Sequence, residues 1–317
     1  MIIFRTLFFS CGFEDISFFK LDGIFGNYHH REFELNSYKN RIPSMAHFGK
    51  HNLSPSAKKL NSAKYDILKT YYLVEGTERL INIFTKLNKV NPDIHIVMSN
   101  GGYLSPWWLM YVDAIWLINS EKDASDDEQI TKKLVYKDNI YYKTFQIENT
   151  QFPLNSVFNH EPKKITTNDN QQEFREYLWM SLSRGTDLID LYIKAHALSK
   201  KEWDVLADGL KWVHKNLSTL SNPKMHGGNP NKNEVYGYSQ WNKNGGYVSF
   251  HNPSDEAIKY EVKLDRKIGV LNDKKTYLIS SALNTSNNLV GKEKTYGDIV
   301  SIHLQAGQVR VLDFTKN

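Results

Sequence analysis

One cysteine, Cys11, stands in 317 residues. That excludes an internal disulfide framework and a cysteine-based metal site, and it leaves the compartment open. No stretch reaches the roughly 20 apolar residues that a helix needs to span a bilayer. Met1 to Phe13 is apolar but short, is interrupted by Arg5, and is followed by no small-residue cleavage site. It reads as the start of a buried helix rather than a signal peptide. Long runs of like charge are also missing, the net charge is only +5, and no zinc-finger or helix-turn-helix spacing occurs. Neither nucleic acid nor membrane is therefore an expected partner. His29-His30 has no further ligand at metal-binding spacing, and Gly227-Gly228 lacks the Lys-Ser/Thr of a phosphate loop.

Aromatic residues, by contrast, are plentiful: 13% of the chain, with 7 Trp and 18 Tyr. Rings stack on the flat C–H faces of sugars, and they also fill ordinary cores; composition does not separate the two.

The first 220 or so positions alternate short apolar runs with amphipathic helical stretches, the pattern of βα units around a parallel sheet. Ile16–Leu21, Ile94–Met98 and Val112–Ile118 are strand-sized, and small or polar residues follow each at once. Leu80, Phe84, Leu87 and Asn91 share one helical face behind Thr77, which reads as an N-cap. Ser199 and Glu202 form a capping box for a helix to Leu217, whose stripe of Trp203, Leu206, Leu210, Val213 and Leu217 reads as core. From about Ser221 a breaker-rich loop, Asn222-Pro223 to Asn231, marks a domain boundary. Beyond it the period becomes two, as in Ile258, Tyr260, Val262 and Leu264, then Val300, Ile302 and Leu304. The expected architecture is α/β for residues 1–221 and a small antiparallel β-sandwich for residues 222–317.

Three segments carry candidate chemistry. In Phe18-Phe19-Lys20-Leu21-Asp22-Gly23, alternation puts Lys20 and Asp22 on one side of the strand. An ionised carboxylate beside an ammonium suits attack on an anomeric carbon; an Asp capping the strand end with Lys20 as its ion-pair partner has the same spacing. Glu121 and Asp123 close the third strand and are candidates for an acid/base, whereas Asp126 and Asp127 read as first-turn residues of a helix. Asn100, Trp107 and Trp108 lie in a Gly-rich loop, where one tryptophan is placed to stack on a sugar and the other to pack inward. His160 is a candidate pocket residue or a structural histidine.

These segments, in this order, resemble the melibiase-like (α-galactosidase clan) glycoside hydrolases, in particular a bacterial α-galactosidase-like branch. The resemblance runs through FFKLDG (18–23), SNGGYLSPWWLMYVDAIW (99–116), FPLNSVFNH (152–160), LSKKEWDVLADGLKW (198–212) and EVYGYSQWNKNGGYVSFHNPSD (234–255). It implies a TIM (β/α)8 barrel followed by a β-sandwich, and retaining hydrolysis of α-linked sugars without metal or organic cofactor. Asp22 would be the nucleophile, the carboxylate after strand six the acid/base, and Lys20, Asn100, Trp107, Trp108 and His160 sugar contacts. The stretch Asn119 to Ser125 departs from the Gly- and Asp-rich family segment, so Glu121 and Asp123 both stay open. Counting Ile16–Leu21 as strand four leaves strands one to three without counterparts. The resemblance therefore implies an incomplete barrel, a truncated or non-catalytic carbohydrate-binding relative being the alternative, with a second chain supplying the remaining strands. The partner expected in either case is an oligosaccharide or glycoconjugate.

Overall fold

The computed structural model describes residues 17–21, 66–98, 104–117, 130–159, 161–165, 171–186, 188–220, 223–272, 274–281 and 288–316. The chain divides into two compact units, Met1–Ile118 and Asn119–Asn317. The expected N-terminal helix and the long polar stretch Gly26–Ser62 lie outside the described residues.

In the first unit, β1 (Phe18–Leu21) pairs parallel with β2 (His95–Met98), Leu21 opposite Met98. β2 pairs parallel with β3 (Ala114–Trp116), Met98 opposite Ile115. Ile96, Val97 and Met98 are all buried, as a central parallel strand covered on both faces requires. The three strands follow one another in the order β1-β2-β3. Asp113 joins them at their N-terminal edge: its carboxylate accepts the Ile96 N–H at 2.7 Å, while its own N–H donates to the Ile96 carbonyl at 2.9 Å. Between β1 and β2 lies α1 (Asp66–Val90), which buries Leu80, Phe84 and Leu87 at the expected helical spacing. Thr77 does not cap it. The helix begins 11 residues earlier, at Asp66, so Thr77 lies within it.

The second unit opens with α2 (Ile130–Tyr142), which runs on into one wider π turn (Lys143–Ile147). Short strands β4 (Val157–Phe158), β5 (Lys163–Lys164) and β6 (Tyr192–Ile193) flank α3 (Gln171–Ser183), and β5 pairs parallel with β6. Then comes α4 (Lys200–Asn216), capped by Ser199: its hydroxyl accepts the Glu202 N–H, and the Glu202 carboxylate accepts the Ser199 N–H at 2.8 Å.

The remaining strands are antiparallel. They are β7 (Lys224–Gly227), β8 (Tyr236–Asn242), β9 (Gly245–His251), β10 (Ile258–Lys263), β11 (Thr276–Ser281), β12 (Glu293–Thr295), β13 (Ile299–Leu304) and β14 (Val309–Lys316). Six of them form a sheet in the order β12-β11-β14-β9-β8-β7, and β10 pairs with β13. The two sheets share one core, in which Trp241, Val248, Phe250, Leu312 and Phe314 from the larger meet Val262, Val300, Ile302 and Leu304 from the smaller. The segment read as a breaker-rich loop, 222–231, instead holds β7. Gly227 at φ +91° lies against the backbone of Val235 and Tyr236, where a Cβ would clash, so the glycine permits pairing where it suggested a linker.

The opposite face of β8, β9 and β14 is also buried, and it is polar. Ser183 Oγ at the end of α3 donates to Ser249 Oγ at 2.8 Å, and Tyr247 OH donates to the Ser183 carbonyl at 2.7 Å. Glu176 of α3 accepts the Val309 N–H at 2.7 Å, and Trp212 of α4 donates its indole N–H to Asp313 at 3.0 Å. Burial pushes both carboxyl groups, Glu176 and Asp313, above their usual range. The sheet thus lies between helices and a second sheet, its alternate residues sorted by chemistry. Gly185 ends α3 at φ +72°, with the Gln240 amide packed where a Cβ would be.

The buried face of α4 differs from the expected stripe. Leu206 and Val213 are buried, but Trp203 is 45% exposed and Leu217 57% exposed; Glu202, Gly209 and Trp212 are buried instead. Gly209 lets α4 approach α3 so closely that a Cβ there would sit 2.7 Å from Leu182 Cδ1. Replacing Gly209 with Leu should therefore destabilise the chain by about 1–3 kcal/mol through overpacking. Trp203→Ser should cost no more than about 0.5 kcal/mol. Urea midpoints of the two variants check the ranking, and equal midpoints would contradict the assigned face.

Candidate functional site

The parallel register determines where chemistry can gather in the first unit. β1 and β2 end level, at Leu21 and Met98, and β3 ends beside them. The next residues in the chain after β1 and β2 are Asp22 and Ser99-Asn100. Leu21 is buried and Lys20 is exposed, so the two side chains take opposite sides of β1. Phe18, 42% exposed, stacks on His95 with ring centroids 5.9 Å apart.

Trp107 and Trp108 share a 3-10 turn (Pro106–Met110). Trp108 is buried and Trp107 is 42% exposed. Trp107 is held edge-on by Trp108 at 4.7 Å and by Tyr111 at 5.4 Å. A half-exposed ring locked by two others offers a rigid apolar face at little entropic cost. Asp22, Asn100, Glu121, Asp123 and His160 lie outside the described residues, as do Asp126 and Asp127. Of the expected site residues, the structure therefore describes Lys20, Trp107 and Trp108.

A second concentration of polar groups, in the other unit, was not foreseen. Asp138, in the middle of α2, is fully buried. It accepts hydrogen bonds from Arg184 Nε at 2.7 Å, Tyr238 OH at 2.7 Å and Tyr236 OH at 2.7 Å. Arg184 also pairs with Glu161 and lies over the Tyr141 ring at 5.5 Å. Burial opposes the charge on Arg184, but Asp138 and Glu161 outweigh it and hold the guanidinium well above its usual value. Its Nη2 has no hydrogen-bond partner among the described residues. Asn159 donates to Tyr141 OH at 2.5 Å, and His251 Nδ1 lies 2.8 Å from Tyr236 OH. The signal in the sequence was the alternation Tyr236, Tyr238, Gln240 and Tyr247, Ser249, His251: groups that are large yet capable of hydrogen bonding, at period two.

Two histidines in this unit stay neutral. Burial pushes His226 down to about 4 against the pull of the Ser249 carbonyl, 3.0 Å from its Nε2. Burial, then the Arg184 charge, pushes His251 down to about 3.

The fold is melibiase-like, similar to that of solved GH27 enzymes. The particular likeness is to a GH27 β-L-arabinopyranosidase from Geobacillus stearothermophilus, at 11% identity and TM-score 0.52, covering 98% of this chain and 60% of that one. A variant of the same enzyme in complex with arabinose matches at 10% identity and TM-score 0.50, covering 98% and 61%. α-Galactosidase I from Mortierella vinacea matches at 13% identity and TM-score 0.45, covering 75% and 62%. The chain spans about 60% of the length of these solved structures. No protein-family model and no curated protein matches it.

Two outcomes follow from the second unit. An unfolded histidine takes up a proton near pH 6.5, while folded His226 and His251 do so only near 4 and 3. Their contribution to stability is present above about pH 6.5 and is lost as the pH falls towards 4 and 3. The replacement His226→Gln should flatten the fall in unfolding free energy between pH 6.5 and 4, measured by urea titration at stepped pH; an unchanged slope would refute it. Asp138→Ala should lower stability by about 3–5 kcal/mol, because it leaves Arg184 buried without the counter-charge that does most to hold it. A loss under about 1 kcal/mol by the same assay would show the network to be dispensable.

Proposed function

We propose that this chain belongs to a retaining α-glycosidase of the α-galactosidase-like kind, acting on terminal α-linked sugars. Residues 1–221 would belong to the (β/α)8 barrel and residues 222–317 to the sandwich. The observation that carries the reading is the level parallel ending of β1 and β2, after which the chain continues directly into Asp22 and Asn100. In barrels of this kind, chemistry is housed at the C-terminal ends of the strands. The melibiase-like fold supports the class.

The chemistry is a double displacement. The Asp22 carboxylate attacks the anomeric carbon from the face opposite the leaving oxygen. The C–O bond breaks as Glu121 or Asp123, about 5–5.5 Å from the nucleophile in retaining enzymes, gives its proton to that oxygen. The same group, now a carboxylate, takes a proton from water as the water oxygen attacks the glycosyl ester and releases Asp22. Lys20 favours the ionised nucleophile, Asn100 and His160 contact hydroxyls, and one face of Trp107 stacks on the ring while Trp108 supports it. No step calls for a metal or an organic cofactor.

A second reading draws on one observation, the span of about 60% of the matched structures. On that reading the chain alone binds carbohydrate without turning it over and acts only with a partner chain that supplies further barrel strands.

Turnover of an aryl α-D-galactoside and of an aryl β-L-arabinopyranoside, which lacks only the hydroxymethyl group, separates these readings. On the first, wild type releases the aryl alcohol, and Asp22→Asn lowers kcat by about ten-thousandfold or more with an unchanged circular dichroism spectrum. Glu121→Gln or Asp123→Asn, whichever is the acid/base, costs about a hundred- to ten-thousandfold. Full activity in Asp22→Asn would remove the nucleophile assignment, and no wild-type turnover would favour the second reading.

A further inference from the structure

A cleft of about 650 Å³ opens in the second unit, between the first turns of α2 and α3 and the loops at one end of the β-sheet. It is within the volume range of small-molecule sites. Its wall contains one residue whose hydrogen-bonding state can be deduced. Tyr236 has a single hydroxyl proton, and the Asp138 carboxylate, an acceptor, takes it at 2.7 Å. The Tyr236 oxygen, 2.8 Å from His251 Nδ1, must then accept, so His251 carries its proton on Nδ1. That leaves Nε2 with a bare lone pair on a neutral ring that is 1% exposed and lines the cleft. Among the described residues the ring makes no other hydrogen bond. His251 lines the cleft, and an acceptor there is open to a donor that the cleft brings in.

The rest of the wall indicates what kind of molecule supplies it. Glu176 is also there, but its oxygens already accept from the Val309 N–H at 2.7 Å and from Arg175 at 3.0 Å. The remaining charged groups are Glu173 and Asp255 against Lys132, a net charge of −1. Around them stand the amides of Gln172, Asn231 and Asn233, each a donor and an acceptor. A mixture of donors and acceptors at this density matches a molecule whose every hydroxyl both gives and takes a hydrogen bond, and the net negative wall excludes an anion.

We propose that this cleft is a binding site for a neutral polyhydroxylated ligand of mono- to disaccharide size, with a ligand hydroxyl donating to His251 Nε2. Its walls come from the second unit and contain none of the residues assigned to catalysis, so it would stand if the glycosidase reading fell.

Saturation-transfer NMR on the full chain tests it, with D-galactose, L-arabinose and D-glucose as probes, putrescine as a cationic control and inorganic phosphate as an anionic one. The expected result is saturable binding of at least one sugar in the millimolar range, weakened about tenfold by Lys132→Ala combined with Gln172→Ala, for one or two lost hydrogen bonds. Asp22→Asn should leave that component intact. Asn233→Gly, which suits the φ of +57° at that position, gives a second variant in case the double one folds poorly. Binding of putrescine or phosphate in place of the sugars, or no saturable binding, would overturn the proposal. So would sugar binding abolished by Asp22→Asn and untouched by the cleft variants, since the signal would then come from the strand-end site.

Discussion

The second unit depends on a buried polar seam. A six-stranded sheet whose one face is apolar and whose other face carries Tyr, Ser, Gln, His and Asp can be covered on both sides only if every polar group on the second face finds a partner. Helices α2, α3 and α4 supply those partners: Asp138 takes two tyrosine hydroxyls and Arg184, Ser183 meets Ser249 and Tyr247, and Trp212 reaches Asp313. Each contact is directional, so helices and sheet can meet in one register and no other. An oily interface would tolerate sliding; this one would leave charges stranded.

The same seam sets the electrostatics around it. Asp138 and Glu161 make the Arg184 charge tolerable in the interior, and the Arg184 charge in turn helps to keep His251 neutral. The neutral His251 then passes its proton's direction on through Tyr236, and its free nitrogen belongs to the cleft wall. Stability and the capacity to bind a ligand are thus linked through a chain of three side chains, Asp138, Tyr236 and His251. The Lys164–Glu202 ion pair, at 3.2 Å and almost wholly buried, repeats the device where the Ser199 capping box meets β5.

The first unit obeys a different constraint. A parallel strand has no hairpin to a neighbour, so its ends are aligned by register alone. In β1 and β2 that register is level, so the two strands end at one edge. The proposed catalytic assignment needs nothing else from this unit except the rigid aromatic group of Trp107, Trp108 and Tyr111 nearby in the chain.

Much was legible from periodicity. The three parallel strands, the Ser199–Glu202 capping box and the alternation along β10 and β13 all follow from local spacing, because strand pleat and helix pitch are properties of the backbone itself; the melibiase-like character came from the resemblance of ordered motifs. What local spacing leaves undecided is which of two faces is buried once both are covered. On α4, Gly209 counts for nothing on a hydrophobic scale, yet it admits a neighbouring helix and thereby turns Trp203 and Leu217 outward. On α2, Lys137, Asp138 and Asn139 are buried although polar, and the partners that make this possible for Asp138 lie 46 to 100 residues away. Sequence determines what each segment prefers by itself; only the tertiary structure decides which distant side chain makes burial of a polar group favourable.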